Sequence, residues 1–299
     1  MPSKRRRLLL VIADDIGIGP ETTTGILQLA AQGIVTGSVL LVNSPYAPEA
    51  VAKWRQSGST LEIGWHPNLT LDSPLASPSQ VPSLVRANGT FWPLGDFLKR
   101  WFIGLLNPKE IELELRLQLE RFAALVGNLP TFVNWHQHIG LFGPVGEILL
   151  SILSEQSARP YVRRIQEPRS VIRKLPGARL KRTFLTLLGC RLSRYQQGHG
   201  FPGSDWLAGI TTPICVLDPE FFVRWLESMP GKIVELMCHP GRLDPTLIGR
   251  DCTDSDGLMQ QRVNELRWLG DPSFLAAAKK AGFRLVSPSV IQISTGRCE

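Results

Sequence analysis

Two adjacent carboxylates, Asp14 and Asp15, end the short apolar run Leu8-Leu9-Leu10-Val11-Ile12-Ala13 and are followed at once by Ile16-Gly17. The run has the length of a strand and is too short to span a membrane. Two acids at the end of a buried strand repel each other and resist desolvation unless a cation or a proton sits between them. Metal chemistry at a strand terminus is therefore one reading. The other is that Asp14 or Asp15 starts a turn or caps the next helix.

The chain has five histidines, His66, His136, His138, His199 and His239. Four of them fall at three expected strand ends. His66 follows Leu61-Glu62-Ile63-Gly64-Trp65. His136 and His138 close Val133-Asn134-Trp135-His136-Gln137-His138, where alternation puts Asn134, His136 and His138 on one face. His239 ends Lys232 to Cys238, with Glu235 on the same face one layer deeper, placed to orient His239 or to pair with another buried polar group. His199 lies in the glycine-rich Gly198-His199-Gly200 and reads as loop surface. Two imidazoles and a carboxylate leave coordination positions open for water, the layout of a catalytic metal site.

The elements that must position these groups alternate. Strands are expected over 8–13, 34–43, 61–66, 131–139, 161–165, 231–239 and 283–286. Helices are expected over 20–32, 47–56, 108–126, 146–156, 220–229, 260–268 and 272–281. The clearest is 108–126, with Ile111, Leu115, Leu119 and Phe122 at helical spacing, Asn107 as cap and Gly127 as stop. Residues 72–94 read as an ordered loop pinned by Val81, Leu84, Val85, Phe91 and Trp92. Strands alternating with helices mean parallel βαβ units, so the fold class is α/β, as a barrel or an open doubly wound sheet with its chemistry at the strands' carboxyl ends.

The 299 residues carry a formal charge of +7, which suits acidic substrates or anionic surfaces. Between Arg163 and Arg194 stand ten Lys/Arg and one acid, Glu167. The middle of that segment, 180–188, reads as an amphipathic helix, either a solvated basic face or a lid that docks on anionic lipid. The cysteines 190, 215, 238, 252 and 298 follow no CxxC spacing and argue for reduced thiols and a cytoplasmic setting. Ser3-Lys4-Arg5-Arg6-Arg7 before an apolar run mimics a signal peptide, but Asp14-Asp15 cuts it short.

Taken together, Ala13-Asp14-Asp15-Ile16-Gly17 resembles the ADDFG motif of the YdjC/ChbG-like carbohydrate deacetylases. Ile63-Gly64-Trp65-His66-Pro67-Asn68-Leu69-Thr70 is similar to that family's GxHxNLT segment, residues 130–138 to its PTHxDSHQHxH block, and Glu235-Leu236-Met237-Cys238-His239-Pro240 to its late ExxxHP strand. The blocks occur in family order and cover nearly the whole chain. The resemblance implies a single-domain distorted β/α barrel over 1–299 with a basic insertion around 166–200. It implies a divalent ion, magnesium or zinc, and removal of an N-acetyl group from an amino sugar or glycoconjugate. It makes Asp15, His66 and His136 the metal ligands, Asp14 the base and His239 the acid. His138, Asn68, Arg164 and Glu235 are then expected to face substrate. Arg164-Ile165-Gln166-Glu167-Pro168 and Gly200-Phe201-Pro202-Gly203 resemble the branch associated with hopanoid lipid biosynthesis. The expected partner is an N-acetylated sugar or glycolipid and not nucleic acid. Contact with an anionic membrane and a homo-oligomer both stay open.

The chain departs from the pattern at Asn134 (Asp in the family), Trp135 (Ser), Gly140 (His) and Ile16 (Phe). A non-catalytic sugar- or metal-binding relative is the first alternative. The second is a metal-dependent NAD(P)-linked dehydrogenase, because Asp15-Ile16-Gly17-Ile18-Gly19-Pro20-Glu21 also resembles the GxxGIGPE start of those enzymes.

Overall fold

A computed structural model describes residues 7–295. The basic stretch before Arg7 and Cys298 lie outside them. Eight strands, all pairing in parallel, form one curled sheet: β1 (Arg7–Ile16), β2 (Gly37–Leu40), β3 (Glu62–Trp65), β4 (Phe132–Val133), β5 (Tyr161–Val162), β6 (Trp206–Ala208), β7 (Ile233–Cys238) and β8 (Phe283–Leu285). The order is β5-β4-β3-β2-β1-β7-β6, with β8 beside the first residues of β1. Between β5 and β6 no ladder closes the curl. Single bonds bridge the gap, from the Val162 N–H to the Pro202 carbonyl (2.9 Å) and from the Leu207 N–H to the Gln166 carbonyl (2.8 Å). The result is the distorted, partly closed barrel that the family resemblance implies, and not the open doubly wound sheet that the alternation of elements also allows.

Helices α1 (Pro20–Ala31), α2 (Ala47–Gln56), α3 (Leu94–Phe102), α4 (Pro108–Val126), α5 (Val145–Ser154), α6 (Arg169–Lys174), α7 (Arg179–Gly198), α8 (Phe221–Ser228), α9 (Leu258–Leu269), α10 (Pro272–Lys280) and α11 (Pro288–Thr295) complete the chain. α4 begins and ends as its sequence dictates: the Asn107 side chain accepts from the Lys109 N–H, and Gly127 closes it at φ 93°. β2 is shorter than 34–43, and β6, α3, α6 and α11 have no counterpart among the expected elements. The 72–94 loop is ordered, with Val81, Leu84, Val85 and Phe91 buried as expected.

Alternation along β1 separates two cores. Leu9, Val11 and Ala13 point outward into the large cluster under the helices. Leu10 and Ile12 point inward, where Val39, Phe132 and Tyr161 plug the barrel. Asp14 is next on that inner face and opens the polar layer above the plug.

Residues 131–139 are not one strand. The ladder stops at Val133, and 136–141 form a 3₁₀ turn with Gln137 at φ 51° and His138 at φ 58°. Neither Asp14 nor Asp15 caps α1. Its N-cap is Gly19, and the Oδ2 of distant Asp244 accepts from the Glu21 and Thr22 N–H groups. A carboxylate thus satisfies the donors of that helix terminus.

Gly64 lets β3 and β4 pack closely: a Cβ there would meet the Phe132 carbonyl oxygen at 2.5 Å and its ring at 2.7 Å. Gly64→Ala should destabilise the fold by about 1–3 kcal/mol through this overpacking, read as a lower denaturant midpoint with unchanged slope.

Candidate active site

In a regular strand Asp14 and Asp15 would face opposite sides of the sheet. They do not, because the β1–β2 register shifts between Ala13 and Ile16 and Asp15 adopts φ 69°. This bulge turns both carboxylates to the mouth of the barrel. Both are 2% exposed.

Each acid has its own arginine. Arg163, just past β5, clamps Asp14 with Nη1 to Oδ2 at 2.6 Å and Nη2 to Oδ1 at 2.7 Å. Its Nε donates to Glu235, which also accepts from the Tyr161 hydroxyl at 2.5 Å. The Asn134 amide adds a further bond to Asp14 Oδ1 at 2.9 Å. Arg262 of α9 donates from Nη2 to Asp15 Oδ2 and to Asp251, both at 2.8 Å. Burial works against the Asp14 charge, but the Arg163 charge and hydrogen bonds prevail and lower its pKa to about 2. Burial opposes the Asp15 charge too, and Arg262 with the two histidines holds its pKa well below the usual range.

Asp15 Oδ1 is left facing His66 Nε2 at 3.3 Å and His136 Nδ1 at 3.2 Å, and those nitrogens are 3.3 Å apart. The His66 Nδ1–H donates to the Asn134 carbonyl at 3.0 Å, which turns the Nε2 lone pair toward Asp15. Ligand atoms around a tetrahedral ion with bonds of about 2.0–2.1 Å stand about 3.3 Å apart. One carboxylate and two imidazoles, all buried, therefore converge with the spacing and donor set of a divalent metal site. The other two groups singled out in the sequence share the same cavity, of about 550 Å³. His239 comes within 3.9 Å of Asp14 Oδ2. His138 lines the wall. Burial first, then the Arg163 and Lys181 charges, depress its pKa to about 3, so it is neutral at physiological pH.

Three expected substrate contacts are placed elsewhere. Glu235 is 1% exposed and has both oxygens committed to Tyr161 and Arg163. It does not neighbour His239, whose ring faces Asp14 and whose backbone N–H donates to Glu265. Asn68 is fully buried. Its Oδ1 accepts from the Thr70 and Leu71 N–H groups and its Nδ2 donates to Asn43 and Leu71, so it shapes the loop after β3. Arg164 turns away from the cavity, with Nη2 donating to the Phe201 carbonyl at 2.9 Å. His199 is exposed and stacks on Tyr195 with centroids 4.0 Å apart, outside the site. Arg163 and Arg262 had no distinguishing signal: one lies in a basic run, the other on a helix 247 residues from its carboxylate.

Two departures from the motif are one exchange. A Cβ at Gly140 would lie 2.1 Å from the Trp135 indole, so the large ring at 135 occupies the volume that a side chain at 140 would need. Asn134, where the motif has Asp, donates to Asp14 instead of repelling it.

The chain belongs to the YdjC-like protein family, whose model matches residues 8–280. It is 29% identical over 288 residues to chitooligosaccharide deacetylases of Yersinia pestis (strain Pestoides F) and Yersinia pseudotuberculosis serotype O:3 (strain YPIII), covering 94% of this chain and 98% of each relative. Its fold is similar to a crystal structure from Enterococcus faecalis V583, described as a candidate cellobiose-phosphate cleavage protein. The TM-score is 0.76 at 24% identity, over 96% of this chain and 99% of that one.

Arg163→Met should cost about 3–5 kcal/mol, because it strands the buried charges of Asp14 and Glu235. The acid limb of stability should change as well. A carboxylate whose folded pKa lies at about 2 stabilises the native state fully above its ordinary value of 3.8 and loses that contribution as pH falls through about 2. In the parent, stability should therefore decline steeply below pH about 4. In the variant that part of the slope should flatten, as read by urea midpoints across pH.

Proposed function

We propose that this protein is a metal-dependent carbohydrate deacetylase that hydrolyses the N-acetyl group of an amino sugar. The observation that carries the reading is the triangle of Asp15 Oδ1, His66 Nε2 and His136 Nδ1, with edges of 3.2–3.3 Å, opening on a cavity that also holds Asp14 and His239. The deacetylases of Yersinia, similar over nearly the full length, support it.

Asp15, His66 and His136 would hold the ion, and their mixed nitrogen and oxygen donors suit zinc, with magnesium the other candidate. Bound there, a divalent ion would supply Lewis acidity, toward a water and toward the amide carbonyl. Asp14, kept ionised by Arg163, accepts the proton of the attacking water. A carboxylate with a pKa of about 2 is a weak base, so the clamp serves to fix its position and charge. His239 on the same inner face of β7 as Met237 protonates the leaving nitrogen, which cannot depart as an anion. Arg262 holds the second oxygen of Asp15 and so keeps the first one aimed at the histidines.

The non-reacting part of the substrate is apolar in this reading. Leu94, Leu98, Trp135, Phe142, Phe184 and Ile210 line the cavity beside the catalytic groups. That lining suits a sugar carried on a lipid, in line with the resemblance of 164–168 and 200–203 to the hopanoid-associated branch. Those two segments pack on each other through Arg164 and the Phe201 carbonyl. The chain would then act as a catalyst and not as a binding relative, since the Asn134 and Gly140 changes leave all three donors and both proton-transfer groups in place.

The direct test is amine release from a panel of N-acetyl sugars and glycolipids with zinc or magnesium added to stripped protein. Metal without amine release from any of them would overturn the reading. His136→Ala should bind zinc at least about 10-fold more weakly by calorimetry while keeping the parent's circular dichroism. Full occupancy at the same free metal would remove His136 from the ligand set. His239→Ala should keep its metal and slow turnover by about 10²–10⁴-fold, with a smaller loss for substrates whose leaving group needs less protonation. Equal losses for good and poor leaving groups would remove it from the acid role.

A further inference from the structure

α7 carries apolar residues on both faces: Leu185, Leu188 and Leu192 pack inward, and Leu180, Phe184 and Leu187 point outward. Its inward face holds Arg182, Gly189, Ser193 and Gln196 beside Leu185, and the Arg182 guanidinium is satisfied there by Glu167. Leu180, Phe184 and Leu187, at positions i, i+4 and i+7, form one stripe facing solvent and are 88%, 54% and 61% exposed. A surface helix of a globular protein normally keeps that outer face polar.

The stripe continues across neighbouring elements. At the end of α3, Phe102 and Ile103 are 82% and 64% exposed, and Ile214 in the 213–217 turn is 73% exposed. These segments share the cavity mouth. α3 lends Leu94 and Leu98 to its lining, α7 Lys181, Phe184 and Leu185, and the turn Pro213. Leu98 and Trp101 pack against the cluster that contains Leu185. Gly177, just before α7, sits so close to Cys215 that a Cβ would meet its sulfur at 2.7 Å. Phe184 belongs both to the outer stripe and to the cavity wall. α7 itself is basic: it holds Arg179, Lys181, Arg191 and Arg194 and no acid in its length, with Arg191 3.7 Å from Glu147 of α5 and Asp96 of α3 paired with Lys99.

We propose that α3, α7 and the 213–217 turn form a docking face for an anionic membrane surface, with the cavity mouth opening toward the lipid headgroups. Exposed Leu, Ile and Phe would enter the headgroup boundary, and the flanking Lys and Arg would meet anionic lipid. Among the described residues no helix is long and apolar enough to cross a membrane, so the contact is peripheral. Charge also selects the occupant: a second copy on this face would set one basic α7 against another. The proposal rests on the deacetylase reading only for what the mouth receives. Vesicle binding itself needs neither metal nor turnover.

The test is co-sedimentation with phosphatidylcholine vesicles, pure or with about one quarter phosphatidylglycerol. The expected result is at least about 10-fold stronger binding to the anionic vesicles, weakened by salt. Leu180→Asp/Leu187→Asp and Phe102→Asp/Ile103→Asp should each abolish it while thermal stability and hydrolysis of a short soluble substrate stay at parent level. His66→Ala should bind vesicles like the parent, which separates failure of docking from failure of catalysis. Equal binding to neutral vesicles, binding to neither, or variants that bind like the parent would overturn the proposal. So would a dimer in sedimentation equilibrium that Leu180→Asp/Leu187→Asp dissolves, because it would assign the face to a second copy.

Discussion

Two neighbouring carboxylates are kept ionised in the interior of this protein, and much of the structure around the barrel mouth exists to make that tolerable. Isolated buried charges would cost several kcal/mol each. The solution is separate compensation. Arg163 meets Asp14 in a two-pronged clamp, and Arg262 meets one oxygen of Asp15. The adjacent acids can then serve different ends. Asp14 is fixed by two donors on Oδ1 and one on Oδ2, which leaves a lone pair of Oδ2 toward the cavity. Asp15 keeps one oxygen free beside two imidazole nitrogens, and only that oxygen can join a metal.

The clamp has depth. Arg163 links Asp14 to Glu235, and Glu235 links to Tyr161, whose ring belongs to the apolar plug of the barrel. A continuous stack thus runs from the packed interior, through a hydrogen-bonded ionic layer, to the cavity. Every member of that layer is buried and paired, the condition under which an ionic network specifies a geometry and does not merely cost energy. The Tyr161 pKa is raised well above its ordinary value by burial and by the Glu235 charge, so its hydroxyl stays a donor. The layer is a platform whose upper member, Asp14, lines the cavity beside His138 and His239.

That arrangement also explains how the motif departures are absorbed. Asn134 sits against Asp14, where a third carboxylate would add a negative charge to a site already balanced by one guanidinium. Its amide supplies a donor instead. Trp135 and Gly140 exchange bulk across the turn that carries His138, so the wall of the cavity changes while the three donor atoms keep their places. The apolar lining and the apolar rim are then properties of one face of the molecule, set by α3, α7 and the turn after β6.

Local chemistry was legible in the chain by itself. The alternating elements, the caps of α4 and the strand-end positions of Asp14, Asp15, His66 and His239 follow from residue type and spacing, which act over a few positions, and the family is carried by the resemblance of the motif blocks. The part that stayed hidden depends on contacts distant in sequence. A strict two-residue period cannot predict that a bulge at Asp15 turns both acids to one side. Nor can it predict that 136–141 leaves the sheet, because left-handed Gln137 and His138 are stabilised only by the surrounding fold. Asn68, Arg164 and Glu235 look like site residues in the motifs, yet their partners are Leu71, the Phe201 carbonyl and Arg163, which only the folded chain brings to them. Arg262 reaches Asp15 from 247 residues away, and no local pattern encodes a charge pair of that separation. Sequence determined which groups could do chemistry, because that is a property of the side chains. Tertiary structure decided which of them converge, because burial and long-range pairing choose the few that remain free to act.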